Sequence, residues 1–183
     1  MVFENFFEDP IKTKELIDAE PMGNVKYEHD GVVYPNIALL PERVWQETLT
    51  NLQKIFGPIM VKTFFARYSF ENVKPPHWAH SDREISEYLA IIYLSDSVEY
   101  SGTVTLKHKA LGFETHPSNI EERKALIADA NNLDAWDFVF EFPAKINRLL
   151  ILNTNLIHAA GRSYGTTKED GRLVISVFFD VDR

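Results

Sequence analysis

The sequence contains no cysteine. That removes disulfides, zinc-thiolate and iron-sulfur clusters and thiol nucleophiles together, so any metal must be held by His, Asp, Glu or water. Positive charge is also scarce, with 19 Lys and Arg against 27 Asp and Glu and a formal net charge of −8. Such a chain has no basic field to hold nucleic-acid phosphates by counterion release, and the local run Lys107-His108-Lys109 reads as solvated charge at a strand end. No apolar run reaches the roughly 18 residues of a membrane span. The acidic, amphipathic opening "MVFENFFEDPIKTKELIDAE" lacks the basic start and apolar centre of a secretion signal. The expectation is a soluble, cytoplasmic protein without membrane or nucleic-acid partners. No glycine-rich phosphate loop opens a helix after a strand, and no G-x-S-x-G elbow is present.

What is present is an ordinary globular composition, 45% hydrophobic and 25% charged over 183 residues, with no linker. One domain spanning 1–183 is expected. Asp9-Pro10 opens a short helix, "VKYEHDGVVYPNIA" forms an irregular hairpin, and "PERVWQETLTNLQKIFG" is an amphipathic helix with Pro at its start and Gly57 at its end. From residue 59 the pattern changes to short runs rich in Val, Ile, Phe and Tyr: "IMVKTFFARYSF", "EYLAIIYLS", "SGTVTLKH", "DFVFEFP", "RLLILN" and "RLVISVFFDV". A polar, helical insertion beginning at Pro117-Ser118 or Asn119 interrupts them. Helices succeeded by about eight strands predict a mainly β fold of the α+β kind, a jelly roll with its N-terminal helices packed on one sheet. The later strands lack the helices that parallel crossovers require.

The stretch "PPHWAHSD" concentrates the candidate chemistry. His80 and Asp82 are two apart, which turns both side chains to one face of an extended segment. Among six histidines an H-x-D spacing alone carries little weight. Two later residues strengthen it: His158 after the apolar run "RLLILNTNLI", and Arg172 fourteen residues beyond it at the head of the last strand. Two histidines and a carboxylate in this order make the facial triad of non-haem Fe(II) oxygenases, and arginine is the residue suited to gripping a carboxylate with two hydrogen bonds. His77 and Trp78 fall at the rim of such a site. His108 and His116 read as surface residues near a loop that could wall the mouth, and His29 as turn chemistry.

In this order of features the sequence resembles the Fe(II)- and 2-oxoglutarate-dependent dioxygenases, in the branch containing the prolyl hydroxylases. "FENFFEDP" looks like the family's opening, "ARYSFENVKPPHWAHSD" like its strand leading into H-x-D, and "YLAIIYLSDSVEYSGTVTL" like the next two strands with a Gly-containing turn. The resemblance implies a double-stranded β-helix in which His80, Asp82 and His158 bind Fe(II) and Arg172 binds the distal carboxylate of 2-oxoglutarate. It further implies a role at the cosubstrate for Tyr68, on the strand before the H-x-D loop. Asn153 and Asn155, near the distal histidine, are candidates to orient its ring, and Asn155 is also a candidate at the cosubstrate. The family often has Ser or Thr two residues after its arginine. Here that position is Val174, and Ser176 is the next hydroxyl on the same face. Arg162, four residues after His158, competes for the anchoring role, but "AAGRSYGTTKEDG" reads as an exposed loop.

The activity implied is O2-dependent oxidation, most simply hydroxylation, of a peptide, amino acid or small metabolite, with 2-oxoglutarate converted to succinate and CO2. Two alternatives stay open at this stage: a jelly-roll binding module without catalysis, and a cupin-like metal protein that does not turn over 2-oxoglutarate. The insertion from about Lys107 to Trp136 is expected to form part of a lid or wall.

Overall fold

In the computed structural model the described residues are 1–26, 31–75, 77–95 and 98–182. The turn expected at His29 lies outside them. Asp9 caps helix α1 (Pro10–Asp18) by accepting a hydrogen bond from the Lys12 amide at 2.9 Å. Helix α2 (Glu42–Phe56) ends at Gly57, whose φ of 76° is open to glycine at little cost. Helix α3 (Ile120–Asp129) starts at Asn119, which caps the Glu122 amide.

The strands are β1 (Val2–Phe3), β2 (Met22–Lys26), β3 (Val33–Ala38), β4 (Ile59–Ser69), β5 (Tyr88–Tyr93), β6 (Thr103–His108), β7 (Trp136–Phe142), β8 (Leu149–Asn153), β9 (His158–Ala160) and β10 (Arg172–Val181). They form a seven-stranded sheet in the order β1-β8-β5-β10-β4-β3-β2 and a three-stranded sheet in the order β7-β6-β9. Every pairing between them is antiparallel. Among the described residues the fold is therefore mainly β with three α-helices, as the strand pattern led us to expect. No helix among the described residues is long and apolar enough to cross a membrane.

Strand alternation divides the large sheet into two working faces. On β10, Leu173, Ile175, Val177 and Phe179 join Ala66, Tyr68 and Phe70 in a core shared with Ile17 of α1 and Val44 and Leu52 of α2. Both N-terminal helices thus cover this one face. On the opposite, inner face, Val174 and Phe178 pack with Leu89, Ile91, Tyr93, Leu150 and Leu152, against Phe142 and Ala144 from the side of the small sheet. The Tyr93 hydroxyl meets Thr103 Oγ1 at 2.7 Å and ties the two sheets together.

The small sheet likewise has two faces. Val104, Leu106 and Ala159 turn outward under Phe113, Trp136 and the half-buried Ala125 and Leu126 of α3. α3 and its neighbours therefore cover the outside of the small sheet, so this part of the expected lid or wall is a buttress. His108, expected at the surface, is 3% exposed within this cluster. Its Nδ1 accepts from the Leu111 amide at 3.2 Å, its Nε2 meets Asp129 at 3.1 Å, and its ring stacks on Phe113. The flanking lysines are paired, Lys107 with Glu114 and Lys109 with Asp137, so the basic run is locally neutralised.

Close approach of the strands depends on two glycines. A Cβ at Gly102 would overlap the Phe142 carbonyl, and one at Gly161 the Tyr100 carbonyl. The six strand runs read from residue 59 onward all form strands. Sequence reading misses β9, since three residues between turn signals are too few for a visible period.

Candidate metal centre

His80 and His158 lie on different segments that the backbone locks face to face. The His80 amide donates to the His158 carbonyl at 3.0 Å and the His158 amide to the His80 carbonyl at 2.9 Å, an isolated antiparallel bridge. Directly opposed residues of such a pair share a face, and their ring centroids are 4.5 Å apart. Asp82, one pleat on, is fixed by its amide donating to the Thr154 carbonyl at 3.1 Å.

Each ring is oriented the same way. His80 Nδ1 lies 3.0 Å from the Trp78 carbonyl and His158 Nδ1 3.0 Å from the Leu156 carbonyl. A carbonyl only accepts, so both Nδ1 atoms carry the proton and both Nε2 lone pairs point elsewhere. They converge on one carboxylate oxygen: Asp82 Oδ2 is 3.3 Å from His158 Nε2 and 3.8 Å from His80 Nε2. The three donor atoms all lie within 4.8 Å of one another, and cis ligands around an ion at about 2.1 Å stand roughly 3 Å apart. Small side-chain rotations bring this set onto a cation.

The electrostatics differ between the two rings. Desolvation pulls His80 down to about 4, opposed by the Asp82 charge and assisted by His158 and Arg67. His158 is desolvated too, but its closer contact with Asp82 outweighs this and raises it above the ordinary histidine value. The Asp82 carboxylate thus favours the protonated form of the nearer ring, His158, while burial favours the neutral form of His80.

Arg172 is 3% exposed at the head of β10 and on its inner face. Nε donates to the Ser101 carbonyl at 2.7 Å and one terminal nitrogen to the Gly102 carbonyl at 3.1 Å; the guanidinium carbon is 5.8 Å from the Tyr93 ring centre. Burial lowers its proton affinity, partly countered by Tyr93 and Tyr164. No carboxylate among the described residues forms an ion pair with it. Arg162, by contrast, is exposed.

Four expected site residues are placed differently from the expectation. Tyr68 faces the helix side of the large sheet, 1% exposed, with its hydroxyl on Asp18. Burial and that carboxylate push its proton affinity up, and it stands on the wrong side of the sheet for a ligand held between the sheets. Ser176 is on the inner face, but four residues along a strand is roughly 13 Å, too far from Arg172 to share a carboxylate with it. Asn155 makes a turn, its amide donating to Asn153 Oδ1 and its carbonyl accepting from the His116 amide. The Leu156 carbonyl orients His158 instead. Trp78 packs on the outer cluster of the small sheet beside Phe138, with its amide held by Asn131. His77 is exposed.

Tyr93 and Thr103 are what sequence reading missed. They stand beside Arg172, and their signal was parity: Tyr93 pairs with Val174, which shares the Arg172 face. His116 contributes from outside, its Nδ1 lying 3.0 Å from Ser81 Oγ, between the two candidate ligands of the H-x-D segment.

The sequence matches no family model and no curated protein. Its fold does match solved structures. SnoN, described as a non-heme alpha ketoglutarate dependent epimerase from nogalamycin biosynthesis, superposes with a TM-score of 0.57 at 12% identity over 98% of this chain and 77% of that one. HygX from Streptomyces hygroscopicus, solved with nickel, 2-oxoglutarate and hygromycin B, gives 0.56 at 15% identity over 98% and 81%. AviO1 from Streptomyces viridochromogenes Tue57 gives 0.58 at 13% identity over 98% and 87%. At these identities the likeness is one of fold.

Proposed function

We propose that this protein is a non-haem iron enzyme that uses 2-oxoglutarate as cosubstrate, built as one double-stranded β-helix unit over 1–183. The observation that carries the proposal is the convergence of His80, Asp82 and His158 on one point, with the buried Arg172 on an inner face of the same sandwich. Two imidazole nitrogens and one carboxylate suit Fe(II) and leave coordination positions open. The fold neighbours solved with iron or nickel and 2-oxoglutarate support the same reading.

Once bound, the iron supplies the O2 chemistry that couples oxidation of a substrate C–H bond to conversion of 2-oxoglutarate into succinate and CO2. The chain's own residues position and insulate. Trp78 and Leu156 hold the two rings with Nε2 forward through their carbonyls. Arg172 engages two of the five N–H groups of a guanidinium with Ser101 and Gly102, leaving three for the distal carboxylate of the cosubstrate. Tyr93 and Thr103 are placed to add hydroxyl contacts there. Ile91, Leu150, Val174 and the other inner-face apolar residues keep water from the buried end.

The finer reading is a hydroxylase of the prolyl-hydroxylase-like branch acting on a small molecule or peptide. The motif order in the sequence supports the branch, and hygromycin B in HygX supports a small-molecule substrate. The test is succinate release from 2-oxoglutarate by protein reconstituted with Fe(II) in air. The expected result is formation that needs both Fe(II) and O2 and is lost in His158→Ala. Succinate formed equally by that variant would refute the proposal, and a protein that binds neither metal nor 2-oxoglutarate would be a binding module.

A further inference from the structure

The H-x-D segment leaves the small sheet directly after Asp82, in a turn where the Asp82 carbonyl accepts from the Ile85 amide at 2.9 Å. The bridge to His158 fixes His80 but stops short of Asp82. Yet Asp82 Oδ2 has to reach both rings for three ligands to meet, and it stands 3.3 Å from one Nε2 and 3.8 Å from the other. The course of the backbone at Ser81 and Asp82 therefore decides the geometry of the centre.

Side chains alternate along an extended chain, so Ser81 points away from the face shared by His80 and Asp82. Two other segments hold its hydroxyl on that outer side. Oγ donates to the Thr154 carbonyl at 3.3 Å, which leaves its lone pairs to accept from His116 Nδ1 at 3.0 Å and from the Arg83 amide at 3.4 Å. Thr154 is a fixed point: it is wholly buried, its amide donates to the Glu87 carbonyl at 3.1 Å and its hydroxyl to the Ser86 carbonyl. His116 is anchored elsewhere. Its amide donates to the Asn155 carbonyl at 2.6 Å, Thr115 bridges Leu156, and the Ile157 amide donates to the Glu114 carbonyl at 2.8 Å. Residues 114–116 are thereby laddered onto the three residues that lead into His158. His116 has its main chain on the segment that carries one ligand and its ring on the segment that carries the other two.

We propose that Ser81 and His116 are positioning residues of the metal centre: their side-chain contact sets the spacing between Asp82 and His158, and through it the affinity for the metal. This role presupposes the proposed function. Neither residue belongs to the ligand group itself, which among the described residues is His80, Asp82 and His158. Partners that orient ligands from behind are worth about ten- to a hundredfold in metal affinity.

The test is titration of Co(II), whose visible d–d absorption reports ligand geometry, into the metal-free protein against a competing chelator, with urea unfolding of the same samples. Ser81→Ala and His116→Ala are each expected to weaken Co(II) binding about tenfold or more and to alter the band shape. The double variant is expected to lose no more than either single one, because the same contact is removed in every case. His116→Asn places an amide nitrogen where Nδ1 stands and is expected to retain most of the affinity. His116→Gln carries its nitrogen one bond further and is expected to behave as the alanine variant. The Asn and Gln variants carry the test on their own if an alanine variant fails to fold. Unchanged affinity in the alanine variants, additive losses in the double variant, or equal affinity of His116→Asn and His116→Gln would overturn the inference. Absence of Co(II) binding by the unmutated protein would instead remove the proposed function beneath it.

Discussion

Replacing Arg172 with methionine separates a ligand anchor from a structural cation. In the free protein the guanidinium is almost fully buried, and desolvating such an ion costs several kcal/mol. Against this stand two charge-assisted hydrogen bonds, to Ser101 and Gly102, worth about 1.5–3 kcal/mol each. The Tyr93 ring adds about 0.5–2 kcal/mol. These contributions are comparable, so Arg172→Met should change the stability of the free protein by no more than about 2 kcal/mol.

The bound state differs, because removing one partner of a buried, hydrogen-bonded charge pair costs about 2–4 kcal/mol, or roughly 30- to 700-fold in Kd. Calorimetric titration of 2-oxoglutarate into Zn(II)-loaded protein, beside urea unfolding of the free protein, reads both quantities. The expected pattern is a large loss of affinity with near-unchanged unfolding, and no change for Arg162→Met. A variant that unfolds far more readily yet binds 2-oxoglutarate normally would make Arg172 a structural residue and refute the reasoning.

Tyr68→Phe should cost about 1 kcal/mol of stability through the lost Asp18 contact and leave 2-oxoglutarate affinity unchanged; a selective affinity loss would return Tyr68 to the site. Gly102→Ala should destabilise by several kcal/mol, since a Cβ there meets the Phe142 backbone rather than a movable side chain, and urea titration checks it. Metal binding at pH 6.5 should release a proton, because Asp82 raises the proton affinity of His158 and the ring must be neutral to coordinate; calorimetry in buffers of different ionisation enthalpy counts it. His80, depressed to about 4, contributes stability to the free protein above pH 6.5 that is lost as pH falls toward 4. His158, being raised, contributes in the opposite sense, with stability present below pH 6.5 and lost as pH rises through its folded value. Replacing His80 with Gln should therefore flatten the acid limb of the pH–stability curve.

Much of the architecture was legible because its signals are local. Capping residues, the stripe on α2 and six apolar runs need only neighbouring positions to be read, and Asn119 at the start of α3 is the same kind of signal. The order of His80, Asp82 and His158 and the i, i+2 parity of the first two survive without coordinates, and they anticipate the convergence of these three side chains. What failed was the face. Tyr68 and Arg67 are adjacent on β4, and only the packing of α1 and α2 against Ala66 and Tyr68 decides which of them turns inward. His108 failed for a related reason: its burial depends on Phe113, Trp136 and Asp129, brought over β6 by an insertion whose path the sequence does not reveal. Ser176 shares the right face with Arg172 but not the distance, since parity carries no information about position along a strand.

The proposed function stands on three side chains from two segments, His80, Asp82 and His158, forming one metal centre. Anaerobic titration of Fe(II) in the presence of 2-oxoglutarate, monitored by a weak visible charge-transfer band, measures it most directly. Saturation is expected at one iron per chain, with loss of the band in each of His80→Ala, Asp82→Ala and His158→Ala and far-ultraviolet circular dichroism unchanged. A band of full intensity in any one of these variants would contradict it.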